Sequence, residues 1–198
     1  MNILSLENIT HSYTERKLFD NASFYLHEGE KVGIIGINGT GKSTLLKIMA
    51  DLEVPDSGNV IKASNLMIHY LPQNPKFNED DTEIESVQNM VHHHANEDEL
   101  VKAKAMMTRL GINNFEQKTG ELSGGQRKRL ALVSVLITPC DILILDEPTN
   151  DLDIETMTIL EDYLDSFDGI VITVSHDRYF LDRIVRRIFA FEGNGVIS

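Results

Sequence analysis

Apolar positions along this chain come in short clusters separated by polar turns. Ile3, Leu4, Leu6 and Ile9 predict a strand near the start, and Phe24-Tyr25-Leu26 marks a second. His27-Glu28-Gly29-Glu30 reads as a turn. Val32-Gly33-Ile34-Ile35 is short, continuous and apolar, the pattern of a buried strand. A glycine-rich loop ends it, and Leu45, Leu46, Ile48 and Met49 predict a helix beyond. Pro55-Asp56-Ser57-Gly58 is a turn, and short strands are expected over Asn59 to Lys62 and Leu66 to Leu71.

The character changes after Pro75. From Glu79 to Leu110 the chain is polar, acidic and helix-compatible, so Pro75 to about Gly120 reads as a helical insertion. From Leu122 the pattern returns to helix, strand, helix, strand. Ile142-Leu143-Ile144-Leu145 and Ile170-Val171-Ile172-Thr173-Val174 suit central parallel strands, and Arg187 to Phe191 a final one. Strands alternating with helices imply an α/β architecture.

Length and composition narrow the picture. The 198 residues suit one domain, 1–198, with a small subdomain packed on it. No apolar run approaches the roughly 20 residues that span a bilayer. The start, MNILSLENIT, has no basic stretch followed by an apolar block, so no signal peptide is expected. One cysteine, Cys140, excludes an internal disulfide framework, fits a reducing, cytoplasmic setting and reads as a packing residue. The net charge of −13 argues against gripping nucleic acid by bulk electrostatics, and no DNA partner is expected.

Gly36-Ile37-Asn38-Gly39-Thr40-Gly41-Lys42-Ser43 fits G-x-x-x-x-G-K-[ST] completely, between a predicted strand and a predicted helix. The glycines let backbone N–H groups curl toward phosphate oxygens, and the helix start adds positive potential. Thr44 follows in the first turn of that helix. Lys42 would reach the β- and γ-phosphates, and Ser43 would offer its hydroxyl to Mg²⁺. Far downstream, the apolar strand 142–145 ends in Asp146-Glu147. Beside a phosphate loop, Asp146 suits the magnesium shell through water. Glu147 suits positioning and deprotonating an attacking water.

Leu122-Ser123-Gly124-Gly125-Gln126 completes a set, with the phosphate loop, Asp146-Glu147 and His176, that resembles a nucleotide-binding cassette of the ATP-binding cassette (ABC) ATPases. The resemblance covers nearly the whole chain. It implies a P-loop α/β fold with an antiparallel β edge, a parallel α/β core over 1–75 and 121–198, and a small α-helical subdomain over 76–120. It implies ATP and Mg²⁺ as cofactors and hydrolysis between two cassettes. Tyr13, in the loop between the first two strands, would stack on adenine, an interaction worth about 1–3 kcal/mol. Gln73, in the stiff Leu71-Pro72-Gln73-Asn74-Pro75, would sense magnesium and the attacking water. His176 would touch the γ-phosphate. Ser123, Gly124, Gly125 and Gln126 would meet the γ-phosphate held by the opposing cassette, and Asn150-Asp151-Leu152-Asp153 would cross that interface. Ser123 and Gln126 also form the spacing of a capping box, compatible with that role.

Within the family, Ser175-His176-Asp177-Arg178-Tyr179-Phe180-Leu181-Asp182 and Pro148-Thr149-Asn150-Asp151-Leu152-Asp153 resemble the ABC-F translation factors. That resemblance implies a second cassette as partner, and the ribosome through the wider protein. The alternatives are the ATPase subunit of a membrane transporter and an ATP-gated interaction module without turnover. Many ABC-F cassettes carry histidine where this chain has Asp151, and those proteins join two cassettes by a charged helical linker. This chain has the length of one cassette and reads as a fragment or a truncated product. His92-His93-His94 are consecutive, whereas a helical metal pair wants i and i+4, so no metal site is assigned there. Arg127-Lys128-Arg129 reads as a solvated or interface-facing helix surface. Glu79 to Glu85 reads as a solvated loop leading into a helix.

Overall fold

The computed structural model describes residues 2–13, 16–91 and 97–191. His92-His93-His94 lie outside them. The described residues form β1 (Asn2–Tyr13), β2 (Arg16–His27), β3 (Lys31–Gly36), α1 (Lys42–Met49), β4 (Ser57–Lys62), β5 (Ile68–Leu71), α2 (Glu83–Met90) and α3 (Glu97–Arg109). There follow a 3₁₀ turn (Thr119–Glu121), α4 (Gly124–Ile137), β6 (Ile142–Asp146), α5 (Ile154–Ser166), β7 (Ile170–Val174), α6 (Arg178–Ile184) and β8 (Arg187–Phe191). The chain divides into two compact units, 1–70 with 140–148 and 166–198, and 71–139 with 149–165.

In the first unit β2, β1 and β4 form an antiparallel sheet in that order. β1 and β2 each run 12 residues, well past the apolar clusters that announce them. Leu4, Leu6, Phe24 and Leu26 point into the core and the polar residues of β2 are exposed, whereas Ser5 and His11 of β1 are buried. The ladder changes register between Leu6 and Ile9, where Asn8 takes φ 53, a left-handed conformation that asparagine tolerates at a bulge.

The second sheet has the order β5-β6-β7-β3-β8. β6, β7, β3 and β8 pair in parallel. Every residue of β6 and β7 is buried, as their unbroken apolar runs predict. One core joins Ile144, Ile172 and Ile34 of this sheet to Leu45 and Met49 of α1 and to Phe19 and Phe24 of β2. α6 is a helix that the apolar pattern leaves unassigned. Asp177 caps it, accepting from the Phe180 N–H at 3.1 Å.

The second unit holds α2 to α5 almost entirely. α2 starts with a full capping box, Thr82 with Glu85. The acidic stretch Glu79 to Glu85 that runs into it is not solvated throughout. Glu83 is buried, and burial pushes its carboxyl above the usual range against the pull of Arg129. The basic run in α4 also departs from a solvated surface, because Lys128 is buried. Its ammonium donates to the carbonyls of Gln73 at 3.0 Å and Pro72 at 3.4 Å.

Candidate functional site

The end of β3 and the start of α1 form a loop that only glycine can build at two positions. Gly36 has φ 154, and a Cβ there would lie 2.9 Å from the Phe191 carbonyl oxygen. Gly41 has φ 104 and caps α1. The Thr40 hydroxyl donates to the Ile37 carbonyl at 2.8 Å, closing the loop from inside. Lys42 is buried at the helix start, and its ammonium donates to the carbonyls of Gly36 at 2.8 Å and Ile37 at 3.0 Å. Desolvation pulls the Lys42 amine below its ordinary pKa, and Glu147 and Asp146 oppose the shift. Ile37, Asn38 and Gly39 are exposed; Thr44 is buried beneath them and Ser43 is half-buried.

β6 delivers Asp146 and Glu147 beside this loop in the same unit. Glu147 sits at φ 48, a conformation worth about 1–3 kcal/mol of strain in a non-glycine residue. Its N–H still donates to the Val174 carbonyl at 2.9 Å, continuing the pairing with β7. The Glu147 Oε1 lies 3.2 Å from His176 Nε2, and the same nitrogen is 3.0 Å from Asn38 Oδ1. Loop 36–43, Glu147 and His176 thus converge, although they are far apart in sequence. Burial pushes the Glu147 carboxyl above the usual range; the charges of His176 and Lys42 oppose this.

Asp146 is buried, and its Oδ1 has no hydrogen-bond partner among the described residues. The Tyr70 hydroxyl donates to the other oxygen, Oδ2, at 3.3 Å. Tyr70 is a site neighbour that sequence reasoning missed, because 76 residues separate the pair and no motif joins them. A hard cation held through water, with phosphate and a serine hydroxyl, fits one orphaned carboxylate oxygen better than an all-protein cage would. No group of three or more His, Cys, Asp or Glu residues able to hold a metal occurs among the described residues.

Tyr13 is the last residue of β1, paired with Arg16, rather than a loop residue. Its ring is half exposed, and its hydroxyl donates to Glu53 at 2.8 Å. That hydrogen bond, then the charge of Glu53, raises the phenol above its ordinary pKa.

The second unit carries the other predicted residues. Ser123 caps α4, accepting from the Gln126 N–H at 3.3 Å, while its own N–H donates to Gln126 Oε1 at 2.9 Å. The capping box read from the sequence is therefore formed. Space beside Gly124 is open, and a Cβ on Gly125 would meet the Asp151 carbonyl oxygen at 3.1 Å. The exposed Asn150 and Asp151 thus belong to a loop packed on the signature turn. Asp153 accepts from the Thr156 N–H at 2.8 Å, which holds its carboxyl below the usual range, and pairs with Arg129 at 3.3 Å. Gln73 is exposed, its backbone held by Lys128.

Comparison with known proteins bears on this arrangement. The family model described as ABC transporter matches residues 19–150. The chain is 37% identical over 199 residues to the energy-dependent translational throttle protein EttA of Haemophilus influenzae, covering 99% of this chain and 36% of that protein. It is 37% identical to ABC transporter F family member 2 of Arabidopsis thaliana, covering 99% of this chain and 29% of that protein. The chain therefore spans about a third of the length of these relatives. Among solved structures, a dimeric ATP-binding cassette in a post-hydrolysis state bound to ADP and Pi matches with a TM-score of 0.84 at 26% identity, covering 99% of this chain and 97% of that one. An ATP-binding subunit of an ABC transporter shares the fold, with a TM-score of 0.85 at 19% identity over 98% of this chain and 88% of that one. No helix among the described residues is long and apolar enough to cross a membrane. With more than half of its residues matched by the family model, the chain belongs to the ATP-binding cassette family of ATPases, and its relatives include ABC-F proteins.

Proposed function

We propose that this chain binds Mg-ATP and hydrolyses it between two cassettes, as one nucleotide-binding module of an ABC-F factor that acts on translation. The observation that carries the hydrolytic part is Glu147. It is a buried carboxylate on a strained backbone, 3.2 Å from His176 and one residue past the strand that brings Asp146. A base held in one orientation, with a raised pKa, suits accepting a proton from water. Glu147 orients the attacking water and accepts its proton. His176 hydrogen-bonds the γ-phosphate and steadies Glu147. Lys42 exchanges its loop carbonyls for the β- and γ-phosphate oxygens, and the backbone N–H groups of residues 36–44 cradle the rest. Tyr13 stacks on the base.

Magnesium, when bound, neutralises charge developing on the phosphates. Ser43 and, through water, Asp146 would hold it, and Gln73 would sense it. The open turn at Ser123 to Gln126 offers the start of α4 to the nucleotide of a partner cassette, with Asn150, Asp151 and Asp153 beside it. The translation role rests on the relative EttA, which is named for that process and of which this chain matches about a third.

Glu147→Gln tests the whole reading. With a second cassette and a linker supplied, ATP should drive this variant to sediment with ribosomes. ATP-independent sedimentation, or none, would overturn the translation role. Unchanged magnesium-dependent turnover in the variant would overturn the catalytic one.

A further inference from the structure

Tyr13 is not held by its own strand alone. Three successive residues of β1 are gripped by the segment that follows α1. His11 Nε2 lies 3.0 Å from Glu53 Oε1, and the Tyr13 hydroxyl donates to that same oxygen at 2.8 Å. Between them, the Ser12 N–H donates to Asp56 Oδ2 at 2.8 Å. The other imidazole nitrogen, His11 Nδ1, faces Asp56 Oδ1 at 3.6 Å. His11 is buried and stands edge-on to the Tyr13 ring, with 5.6 Å between centroids at 87°.

The gripping segment is anchored in turn. α1 ends at Met49 with Ala50 as its C-cap, Asp51 turns the chain at φ 60, and the Leu52 N–H donates back to the Lys47 carbonyl at 2.9 Å. An ion pair from Lys62 of β4 holds Asp51. Glu53 therefore hangs from the far end of the helix whose first residue is Lys42. A second path runs through rings. His11 stacks on the fully buried Phe19, and the Phe19 ring would lie 3.1 Å from a Cβ on Gly41.

We infer that Glu53 is a positioning residue for the nucleobase. It pins the Tyr13 hydroxyl and His11 to the helix that begins at the phosphate loop, so the stacking face is held at a fixed distance from the phosphate cradle. This rests on the reading of Tyr13 as the base-stacking residue. Because the hydroxyl is engaged by Glu53, Tyr13 meets the base with its π face, and stacking of that kind takes any base. Loss of Glu53 should therefore weaken ATP and GTP by the same factor. It should not touch a ligand that has no base.

The experiment is calorimetric titration of the 198-residue chain, in a Glu147→Gln background, with ATP, GTP and ribose 5-triphosphate. Glu53→Ala should weaken both nucleotides about 3- to 10-fold, the range for a side chain that must be ordered on binding, and leave ribose 5-triphosphate unchanged. Glu53→Gln keeps an acceptor and should restore most of the affinity. Tyr13→Phe should reproduce Glu53→Ala, and the double variant should be no worse than either single one. Equal weakening of ribose 5-triphosphate by Glu53→Ala would overturn the inference, as would additive losses in the double variant. Tyr13→Ala separates the two levels. If it leaves ATP binding intact, the stacking reading itself fails. If it weakens ATP while Glu53→Ala and Tyr13→Phe do not, the positioning role alone fails.

Discussion

Ser123 caps α4 and, in the function proposed above, also meets the nucleotide of a partner cassette; one pair of substitutions can separate the two duties. Its hydroxyl accepts the Gln126 N–H at the start of α4, and its N–H donates to Gln126 Oε1. Ser123→Ala removes only the first bond, because the second uses the backbone of residue 123. The expected loss is that of one helix cap, about 1 kcal/mol. For a domain of this size that corresponds to a fall in Tm of about 2–4 °C. Ser123→Asp keeps a capping oxygen and places a negative charge at the positive end of the helix, so stability should be retained. The same charge would face the γ-phosphate of a partner cassette. Light scattering of each variant in a Glu147→Gln background, with and without Mg-ATP, reads the second duty. The parent should double its mass with Mg-ATP, and Ser123→Asp should stay monomeric despite a normal Tm. Normal doubling by Ser123→Asp would refute a role in trans. An unchanged denaturation midpoint for Ser123→Ala would refute the capping argument.

Two further predictions follow from buried charges. Burial raises the Glu147 carboxyl, and a base works only when deprotonated, so turnover should fall as pH drops, with a midpoint above the usual carboxylate value. A pH–rate profile should show this, and Glu147→Gln should be about 10²- to 10⁴-fold slower. A midpoint at or below the usual value would refute the assignment. Lys128→Met keeps the buried stem but abandons the Pro72 and Gln73 carbonyls, which should cost about 1–2 kcal/mol in urea unfolding; unchanged stability would show that water replaces the ammonium freely.

The parts of this protein that its sequence determined by itself are those whose physics is local. The phosphate loop is contiguous, and the strand before it and the helix after it announce themselves by apolar runs. The all-buried β6 and β7 are legible for the same reason. So is the Ser123–Gln126 cap, because three residues of helical geometry bring its two ends together. Asp177 carries the same kind of signal for α6, but seven residues are too few to show a period.

The relations between these parts were left to the tertiary structure. Asn38 and His176, 138 residues apart, meet because the sheet order places β7 beside β3. Tyr70 reaches Asp146 because β5 neighbours β6. Glu53 lies just before the turn read at Pro55 to Gly58, and nothing in its neighbours says that Tyr13 and His11 share its oxygen. Lys128 and Glu83 look like solvated charges, yet both are buried, because a helix face is assigned to solvent or core only when its partner helices pack. Periodicity tells which positions can face inward. Which polar group each inward position meets depends on contacts between segments far apart in the chain, and these form only once the sheets and helices have assembled.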